Sequence, residues 1–138
     1  MEPNINDKKI KYTWQEFDID IEKLIIKLKE RKISYIYPIM RGGMVIAVKL
    51  SNKLKIPIIT NLEEGKQKLK HDWNNDKNEW KEILVVDDIS DSGKTFLNIT
   101  EIQFFTTLTL FLKEGTQFIP NIYINKCEQN EWIEFCWE

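Results

Sequence analysis

Histidine and cysteine are scarce in this chain of 138 residues, which contains one histidine and two cysteines. Cys127 and Cys136 are not spaced like the ligands of a structural zinc site. The first residues, 1–7, have neither a basic start nor an apolar run, so no secretory signal is predicted. Two thiols without such a signal suggest a reducing compartment, and we therefore expect a cytoplasmic protein.

The sequence also lacks a long apolar run and an excess of one charge. Its longest apolar run, 104–112, is about half as long as a membrane span and is interrupted by threonines. Twenty basic and 22 acidic side chains give a formal net charge of −2, which provides no global field for polyanions. We expect no membrane and no nucleic-acid partner. The length suits one domain, 1–138.

Strand-like and helix-like patterns alternate along the chain. Thr13 and Glu16 fit a capping box, and apolar residues follow at helical spacing up to a basic end at 31–32. Strands are predicted over four apolar or β-branched runs: 33–40, 56–59, 83–86 and 119–124. Further helices are predicted over 45–54 and 96–108. The alternation favours an α/β fold, with a mostly parallel sheet flanked by helices and 83–86 as a central strand.

A long polar stretch over 61–81 contains few large apolar residues. A connection of this length in a compact domain is usually functional or disordered, and lids over active sites are a common case. We therefore predict a mobile hood loop here that adds little to the core. Its lysines Lys66, Lys68 and Lys70 either supply positive charge to a site or form a solvated surface.

Three aspartates, Asp87, Asp88 and Asp91, follow the predicted central strand within five residues. Ligands of open α/β sheets bind beyond the carboxyl ends of the strands. Clustered carboxylates repel one another, which makes sense if a ligand brings hydroxyl groups or a metal ion. The next residues, 92–95, offer hydroxyls, a glycine and helix N-terminal amides, which suit an anion. The pattern favours a sugar-phosphate site, against the alternative of an ordinary strand-to-helix turn whose side chains cap the helix.

The run Gly93, Lys94 and Thr95 also matches the end of a Walker A nucleotide loop. That motif requires a glycine five positions before Gly93, where this chain has Asp88. An acid at that position would repel the phosphates that the loop must bind. The spacing therefore argues against a nucleotide-binding loop of this class.

The segment 85–95 resembles the signature with which type I phosphoribosyltransferases bind phosphoribosyl pyrophosphate (PRPP). In that signature an apolar strand leads to two acids, two variable residues, a third acid and a Thr/Ser-Gly-any-Thr turn. The segment 38–43 resembles the pyrophosphate loop of the same family. At the tail, 131–137 resembles the purine pocket of bacterial xanthine-guanine (6-oxopurine) phosphoribosyltransferases, and 12–14 resembles their N-terminal start.

The resemblance implies a type I phosphoribosyltransferase-like fold and a pentosyltransferase of purine salvage. Such an enzyme transfers 5-phosphoribosyl from PRPP to guanine, xanthine or hypoxanthine and releases pyrophosphate. The implied ligands of PRPP are Arg41, Gly42, Asp87, Asp88, Ser90, Asp91, Ser92, Gly93, Lys94 and Thr95. The implied purine-binding residues are Lys126, Trp132 and Ile133.

Among these residues, Asp91 is the implied catalytic base, and Asp88 is the implied ligand of a Mg²⁺ cofactor. The resemblance also implies a homo-oligomer, a dimer or a tetramer. Lys126 and Trp132 are six residues apart, closer than in most purine enzymes of the family. Two alternatives stay open: a noncatalytic regulator of the same fold that senses PRPP or a nucleotide, and a phosphoribosyltransferase for another base.

Overall fold

The computed structural model describes residues 3–75, 81–99 and 104–138. Its helices and strands follow in this order: β1 (Lys8–Tyr12), α1 (Trp14–Leu28), β2 (Ile33–Pro38), α2 (Met44–Leu54), α3 (Leu62–Asn75), β3 (Glu82–Ser90), α4 (Lys94–Leu97), β4 (Phe105–Lys113), β5 (Asn125–Cys127) and β6 (Glu131–Phe135). No helix in the described ranges is long and apolar enough to cross a membrane.

The strands form two parallel sheets. A four-stranded sheet has the order β2-β3-β4-β5, and a two-stranded sheet pairs β1 with β6. The strand β3 pairs with β2 on one side and with β4 on the other, and its residues 83–86 are fully buried. The predicted α/β class, the parallel sheet and the central position of 83–86 are confirmed.

Helix α1 begins at the predicted capping box. The Glu16 backbone amide donates to Thr13 Oγ1 at 3.1 Å, and the Thr13 amide donates to Glu16 Oε1 at 3.4 Å. The two bonds satisfy amides that the first helical turn leaves without a backbone partner. The helix then buries Phe17, Ile21 and Leu24 in the same apolar cluster as Ile46 of α2.

The predicted helix over 96–108 is wrong. Helix α4 ends at Leu97, and Phe105 begins the strand β4; Ile102, which belonged to the predicted helical pattern, lies outside the described residues. Almost all of β4 is buried, and a strand that is covered on both faces has an apolar run like that of a buried helix. The threonines favour the strand because they are β-branched, and Thr106 Oγ1 donates to Glu82 Oε1 at 2.8 Å.

Two short predicted strands are reduced to single bridges. Ile58 pairs with Ile36, Ile122 pairs with Leu108, and the edge strand beside β4 starts only at Asn125. Each of these predicted strands contains a proline, at 57 and at 120. A proline has no amide hydrogen to donate to a ladder, which shortens the pairing on either side of it.

Residues 62–75 of the predicted hood loop form the helix α3, so the loop prediction is wrong there; residues 76–80 lie outside the described part. Leu62, Leu69 and Trp73 share one face of α3, and Leu69 is fully buried against β3. Lys66 occupies the remaining position of this apolar face and is itself buried. A lysine can pack its long stem against a core while its charge stays near the surface, which hid the helical pattern in the sequence.

Candidate functional site

A cavity of about 860 Å³ lies at the carboxyl end of β3. The loop after β2 contributes Arg41 and Gly42 to its wall, and β3 contributes Asp87 and Asp88. The wall is completed by Asp91 from the turn after β3 and by Trp132 and Ile133 from β6. The two sheets therefore meet at this cavity, and seven of the residues predicted from the sequence line it together.

The two adjacent aspartates lie on the strand itself, because β3 continues to Ser90 instead of ending at the predicted turn. The Asp88 amide donates to Asp87 Oδ1 at 2.8 Å, and the Ile89 amide donates to Asp88 Oδ1 at the same distance. Burial raises the pKa of Asp87 to about 8, and the neighbouring carboxylate of Asp88 adds to the increase. Burial raises the pKa of Asp88 as well. The ligand-free site therefore holds negative charge at a cost that a cation or hydroxyl donors would relieve.

The loop after β2 packs directly against this pair. A side chain at Gly42 would place its Cβ 2.5 Å from Asp88 Oδ2, and one at Gly43 would clash with the carbonyl oxygen of Val86. Gly43 therefore allows the loop to approach the backbone of β3 closely, and a side chain at Gly42 would displace the Asp88 carboxylate. The Met40–Arg41 peptide bond is cis. The two ordered motifs of the sequence, 38–43 and 85–95, therefore meet in space.

The turn after β3 packs against the segment 116–118, on the side away from solvent. The buried Ser90 hydroxyl donates to the Phe118 carbonyl at 2.7 Å and lies 3.0 Å from Thr116 Oγ1. Gly93 has a φ of +85°, and a Cβ there would lie 2.5 Å from the Phe118 amide nitrogen. Ser90, which was predicted to bind PRPP, thus supports the turn with its hydroxyl. The exposed positions of the turn are Ser92, Lys94 and Thr95.

Lys113 is a residue of the cavity that the sequence reasoning missed. It ends β4, its side chain is 11% exposed, and its Nζ lies 3.8 Å from Asp91 Oδ1. The helix predicted over 96–108 ends before Lys113, so the sequence analysis gives this residue no place in the site. A lysine at the end of a nine-residue apolar, threonine-rich run was the available signal, but only the correct assignment of that run as a strand brings it to the edge where ligands bind.

The structure separates Lys126 from the other residues predicted to bind a purine. Trp132 and Ile133 line the main cavity, whereas Lys126 lines a neighbouring cavity of about 520 Å³. Its Nζ lies 5.9 Å from the centre of the Tyr123 ring. Lys113 and Glu131 border both cavities. Within the described residues, Lys113 is thus the lysine that faces the same cavity as Trp132.

The acidic pair suits one kind of metal. No group of three or more histidine, cysteine, aspartate or glutamate side chains in the described ranges is arranged to hold an ion. Magnesium, however, is commonly bound by only one or two carboxylates together with the phosphates of a substrate. Asp87 and Asp88 provide oxygen ligands of that kind beside Arg41, so the donor set fits Mg²⁺ that arrives with a phosphorylated substrate.

Residues 10–138 match the family model described as the phosphoribosyl transferase domain. The xanthine-guanine phosphoribosyltransferase of Chromohalobacter salexigens is 24% identical over 135 residues, an alignment that covers 91% of this chain and 82% of that protein.

Two solved structures are similar over almost the full length. The purine phosphoribosyltransferase of Pyrococcus horikoshii has a TM-score of 0.72 at 27% identity, with 94% of this chain and 93% of that one covered. The xanthine-guanine-hypoxanthine phosphoribosyltransferase of Helicobacter pylori has a TM-score of 0.73 at 21% identity, with 95% and 93% covered. Both share the arrangement of helices around a mostly parallel sheet.

Proposed function

Since this chain belongs to the phosphoribosyltransferase family, and is therefore a transferase enzyme, we propose that it moves the 5-phosphoribosyl group of PRPP onto a 6-oxopurine. One observation carries the proposal: a single cavity joins the acidic end of β3 to an aromatic wall on β6 and to a lysine. The acidic end suits ribose hydroxyls, and the aromatic wall suits a flat base. Guanine, hypoxanthine and xanthine are the proposed acceptors.

PRPP is proposed to bind along the edge formed by the loop after β2 and the turn after β3. Asp87 and Asp88 accept hydrogen bonds from the two ribose hydroxyls. These bonds stabilise the ionised carboxylates, whose charge is unfavourable because they are buried. The hydroxyls of the exposed Ser92 and Thr95, together with amides of the same turn, bind the 5′-phosphate. Arg41 and Gly42 contact the pyrophosphate, since their loop packs on Asp88.

Mg²⁺ is the proposed cofactor, held by Asp88 with Asp87 as its neighbour. When bound, it supplies positive charge that stabilises the departing pyrophosphate. The guanidinium of Arg41 stabilises the negative charge of the departing pyrophosphate in the same way. Both effects are needed because the bond from the ribose carbon to pyrophosphate breaks with little covalent help from the protein.

The purine is proposed to stack on Trp132 and to accept a hydrogen bond at its 6-oxo group from Lys113. We assign this role to Lys113 instead of Lys126, because Lys113 borders the cavity of Trp132 and lies beside Asp91. One nitrogen of the five-membered ring forms the new bond to the ribose carbon as pyrophosphate leaves, and the Asp91 carboxylate takes the proton of the other nitrogen of that ring, which lies beside the 6-oxo group. Lys113 and Asp91 thus act on neighbouring atoms at one edge of the purine.

The test is the release of pyrophosphate from PRPP with each base in turn: guanine, hypoxanthine, xanthine, adenine and uracil. We expect turnover with the 6-oxopurines and little with adenine, whose 6-amino group cannot accept the lysine bond. Efficient use of adenine or uracil would contradict the base pocket. Binding of PRPP without turnover of any base would instead favour a noncatalytic sensor, a function against which the positions of Arg41 and Asp91 in the cavity argue.

A further inference from the structure

The segment 116–118 packs against the turn after β3 and has no role in the reaction as proposed above. The Thr116 hydroxyl oxygen lies 3.0 Å from Ser90 Oγ, at the end of the strand. On the other side of the turn, the Phe118 ring stacks on the buried ring of Phe96, with 4.9 Å between the ring centres. The turn is therefore held at both of its ends by the same short segment.

The bonds of the two hydroxyls fix which of them is the donor. The Ser90 hydroxyl donates to the Phe118 carbonyl at 2.7 Å, and a hydroxyl has only one hydrogen to give. In the bond between the two hydroxyls, Thr116 is therefore the donor. Thr116 Oγ1 also accepts from the Phe118 amide at 3.3 Å and lies 3.2 Å from the Phe118 carbonyl oxygen. Removing this one hydroxyl takes a partner from both Ser90 and Phe118.

Thr116 is itself anchored to the large sheet. Its amide donates to the carbonyl of Lys113, the last residue of β4, at 3.2 Å. Gly115 lies between them with a φ of +83°, a conformation that glycine adopts without strain. Because β4 pairs with β3 up to Ser90, the hydroxyl contact joins the ends of two neighbouring strands. The support of the turn is thus part of the sheet edge and not a free surface loop.

Gly93 brings the backbone of the turn into direct contact with this support. A Cβ at Gly93 would lie 2.5 Å from the Phe118 amide nitrogen and 3.0 Å from Thr116 Oγ1. Closely packed atoms transmit displacements to one another. A change in the position of Thr116 or Phe118 therefore shifts the backbone of the turn at Gly93.

A further bond sets the direction of the Gly93 amide. The Ser92 carbonyl accepts a hydrogen bond from the Gln117 amide at 3.0 Å. In a planar trans peptide such as the one between Ser92 and Gly93, the carbonyl and the N–H point in opposite directions. The Gly93 N–H therefore points away from Gln117. Amides that point out of a turn in this way are the groups that bind phosphate oxygens.

We propose that Thr116 is a positioning residue for the 5′-phosphate of PRPP. This inference rests on the proposed function, in which the turn after β3 binds that phosphate. Thr116 acts through Ser90 and Phe118, which hold the amides of the turn in the geometry that a phosphate needs. Loss of its hydroxyl weakens ligands that carry a 5′-phosphate and leaves the pyrophosphate and base ends of the site as they are.

The first test compares Thr116→Val, which removes the hydroxyl and keeps the branched shape, with Thr116→Ser, which keeps the hydroxyl. Thr116→Val is expected to raise KM for PRPP about tenfold, with kcat and KM for the purine within about twofold of the parent. Thr116→Ser is expected to restore KM for PRPP. Thr106→Val is the control, because it breaks a side-chain bond to Glu82 at the start of β4. An unchanged KM for PRPP in Thr116→Val, or an equal increase in Thr106→Val, would overturn the inference.

The second test measures binding without turnover, by calorimetry in the presence of Mg²⁺. Ribose 5-phosphate carries the 5′-phosphate without the leaving group, and inorganic pyrophosphate represents the leaving group alone. Thr116→Val is expected to weaken the binding of ribose 5-phosphate about tenfold and to leave that of pyrophosphate unchanged. Equal weakening of both ligands would show a general loss of structure and refute the positioning role.

Ser90→Ala examines the same contact from the strand side and decides the matter if Thr116→Val folds poorly. It is expected to weaken the binding of ribose 5-phosphate by a similar factor. A double variant that combines Ser90→Ala with Thr116→Val should lose little more than the larger single loss, because both changes break one shared bond. Additive losses would show that the two hydroxyls act independently and would contradict the inference.

Failure of the inference can be told apart from failure of the proposed function. If PRPP does not bind the unmutated protein, the proposed function is wrong, and the inference with it. If PRPP binds the parent and Thr116→Val equally well, only the inference is wrong. If PRPP binds but no 6-oxopurine releases pyrophosphate, the acceptor assignment is wrong, and the affinities for ribose 5-phosphate still decide the role of Thr116.

Discussion

At the scale of single residues, the proposed function gives the carboxylates of Asp87 and Asp88 a role in binding the ligand and not in stabilising the fold. Asp87 and Asp88 are adjacent and partly buried, and burial raises the pKa of both. Replacing both with asparagine should therefore leave the protein folded while it weakens PRPP binding at least about a hundredfold, since two hydrogen bonds to charged groups are lost. Calorimetric titration with PRPP and Mg²⁺ measures the loss, and circular dichroism checks the fold. Unchanged affinity in a folded double variant would show that PRPP binds elsewhere.

Arg41 is expected to act on the leaving group more than on the bound substrate. Arg41→Ala should lower kcat by about a hundredfold or more, the size of effect that follows the loss of a charge-stabilising donor in acyl-transfer enzymes. Steady-state rates measure the change. Lys53→Ala is the control, since Lys53 is an exposed cation that pairs with Glu22 away from the cavity. A kcat near that of the parent enzyme would contradict the role of Arg41.

The two candidate lysines make opposite predictions. Lys113→Ala should erode the preference for guanine over adenine, because a site that hydrogen-bonds the 6-oxo group can discriminate by a factor of about 10⁴. Lys126→Ala should leave that preference unchanged, since Lys126 lies in the neighbouring cavity. Specificity constants for both bases in both variants decide the matter. If Lys126→Ala loses the preference and Lys113→Ala keeps it, our assignment is wrong.

Trp132 is expected to contribute to the affinity for the base without discriminating between purines. Stacking of a base on an aromatic ring is worth about 1–3 kcal/mol and is similar for all purines. Trp132→Ala should thus raise KM for each 6-oxopurine by a similar factor, about tenfold to a hundredfold. Initial rates with guanine and hypoxanthine test this expectation, and a large change for only one of them would argue for a polar contact instead.

At the scale of helices and strands, the small sheet carries Trp132 of the cavity wall and is joined to the large sheet by a hydrogen-bond network. The Tyr12 hydroxyl donates to Asp20 Oδ2 at 2.7 Å, and Asn125 Nδ2 donates to the same oxygen at 2.9 Å. Tyr12 ends β1, which pairs with β6, and Asn125 begins β5. Burial, followed by the bond to Asp20, strongly raises the pKa of Tyr12, so this hydroxyl stays protonated as a donor.

Tyr12→Phe should therefore loosen the position of Trp132 relative to the sugar site. We expect a loss of about 1–3 kcal/mol in the free energy of unfolding and a severalfold increase in KM for the purine, with PRPP affinity unchanged. Thr106→Val is the control, because it breaks a buried side-chain bond to Glu82 at the start of β4, at the opposite end of the sheet. If both variants lose stability alike and neither changes the purine KM, the network is structural only.

At the scale of the whole molecule, the acidic pair links stability to pH. Asp87 has an ordinary pKa of 3.8 that rises to about 8 in the folded protein. Between these values the folded, ligand-free protein holds a proton that the unfolded chain has lost, so its stability falls as the pH rises. The slope from this residue is at most about 1.4 kcal/mol per pH unit.

The change in Tm between pH 5 and pH 8 measures this linkage. The unmutated protein should lose stability over that interval, and Asp87→Asn should flatten the decrease, because its amide does not titrate. Adding PRPP with Mg²⁺ should reduce the decrease as well, since the ligand shares the charge of the pair. A Tm that is equally steep in Asp87→Asn would show that other groups control the pH response.

Features that depend on neighbouring residues can be predicted from the sequence alone. The capping box of α1 and the buried apolar run 83–86 are local patterns, and both form where they were predicted. The capping box, for example, depends only on an amide three residues away along the chain. Of the residues that the sequence predicted to bind PRPP, Arg41, Gly42, Asp87, Asp88 and Asp91 line the cavity together. The other five do not line it: the Ser90 hydroxyl supports the turn, and Ser92, Lys94 and Thr95 are exposed beside it.

Which lysine lines the same cavity as Trp132 depends on how the strands pack together. Periodicity cannot separate a buried strand from a buried helix, so β4 was mistaken for a helix and its last residue, Lys113, was overlooked. The segment α3 was taken for a loop because Lys66 interrupts its apolar face. The sequence alone does not distinguish Lys126 from Lys113 as the lysine of the proposed site. The structure distinguishes them because β4 pairs with β3, which brings Lys113 to Asp91.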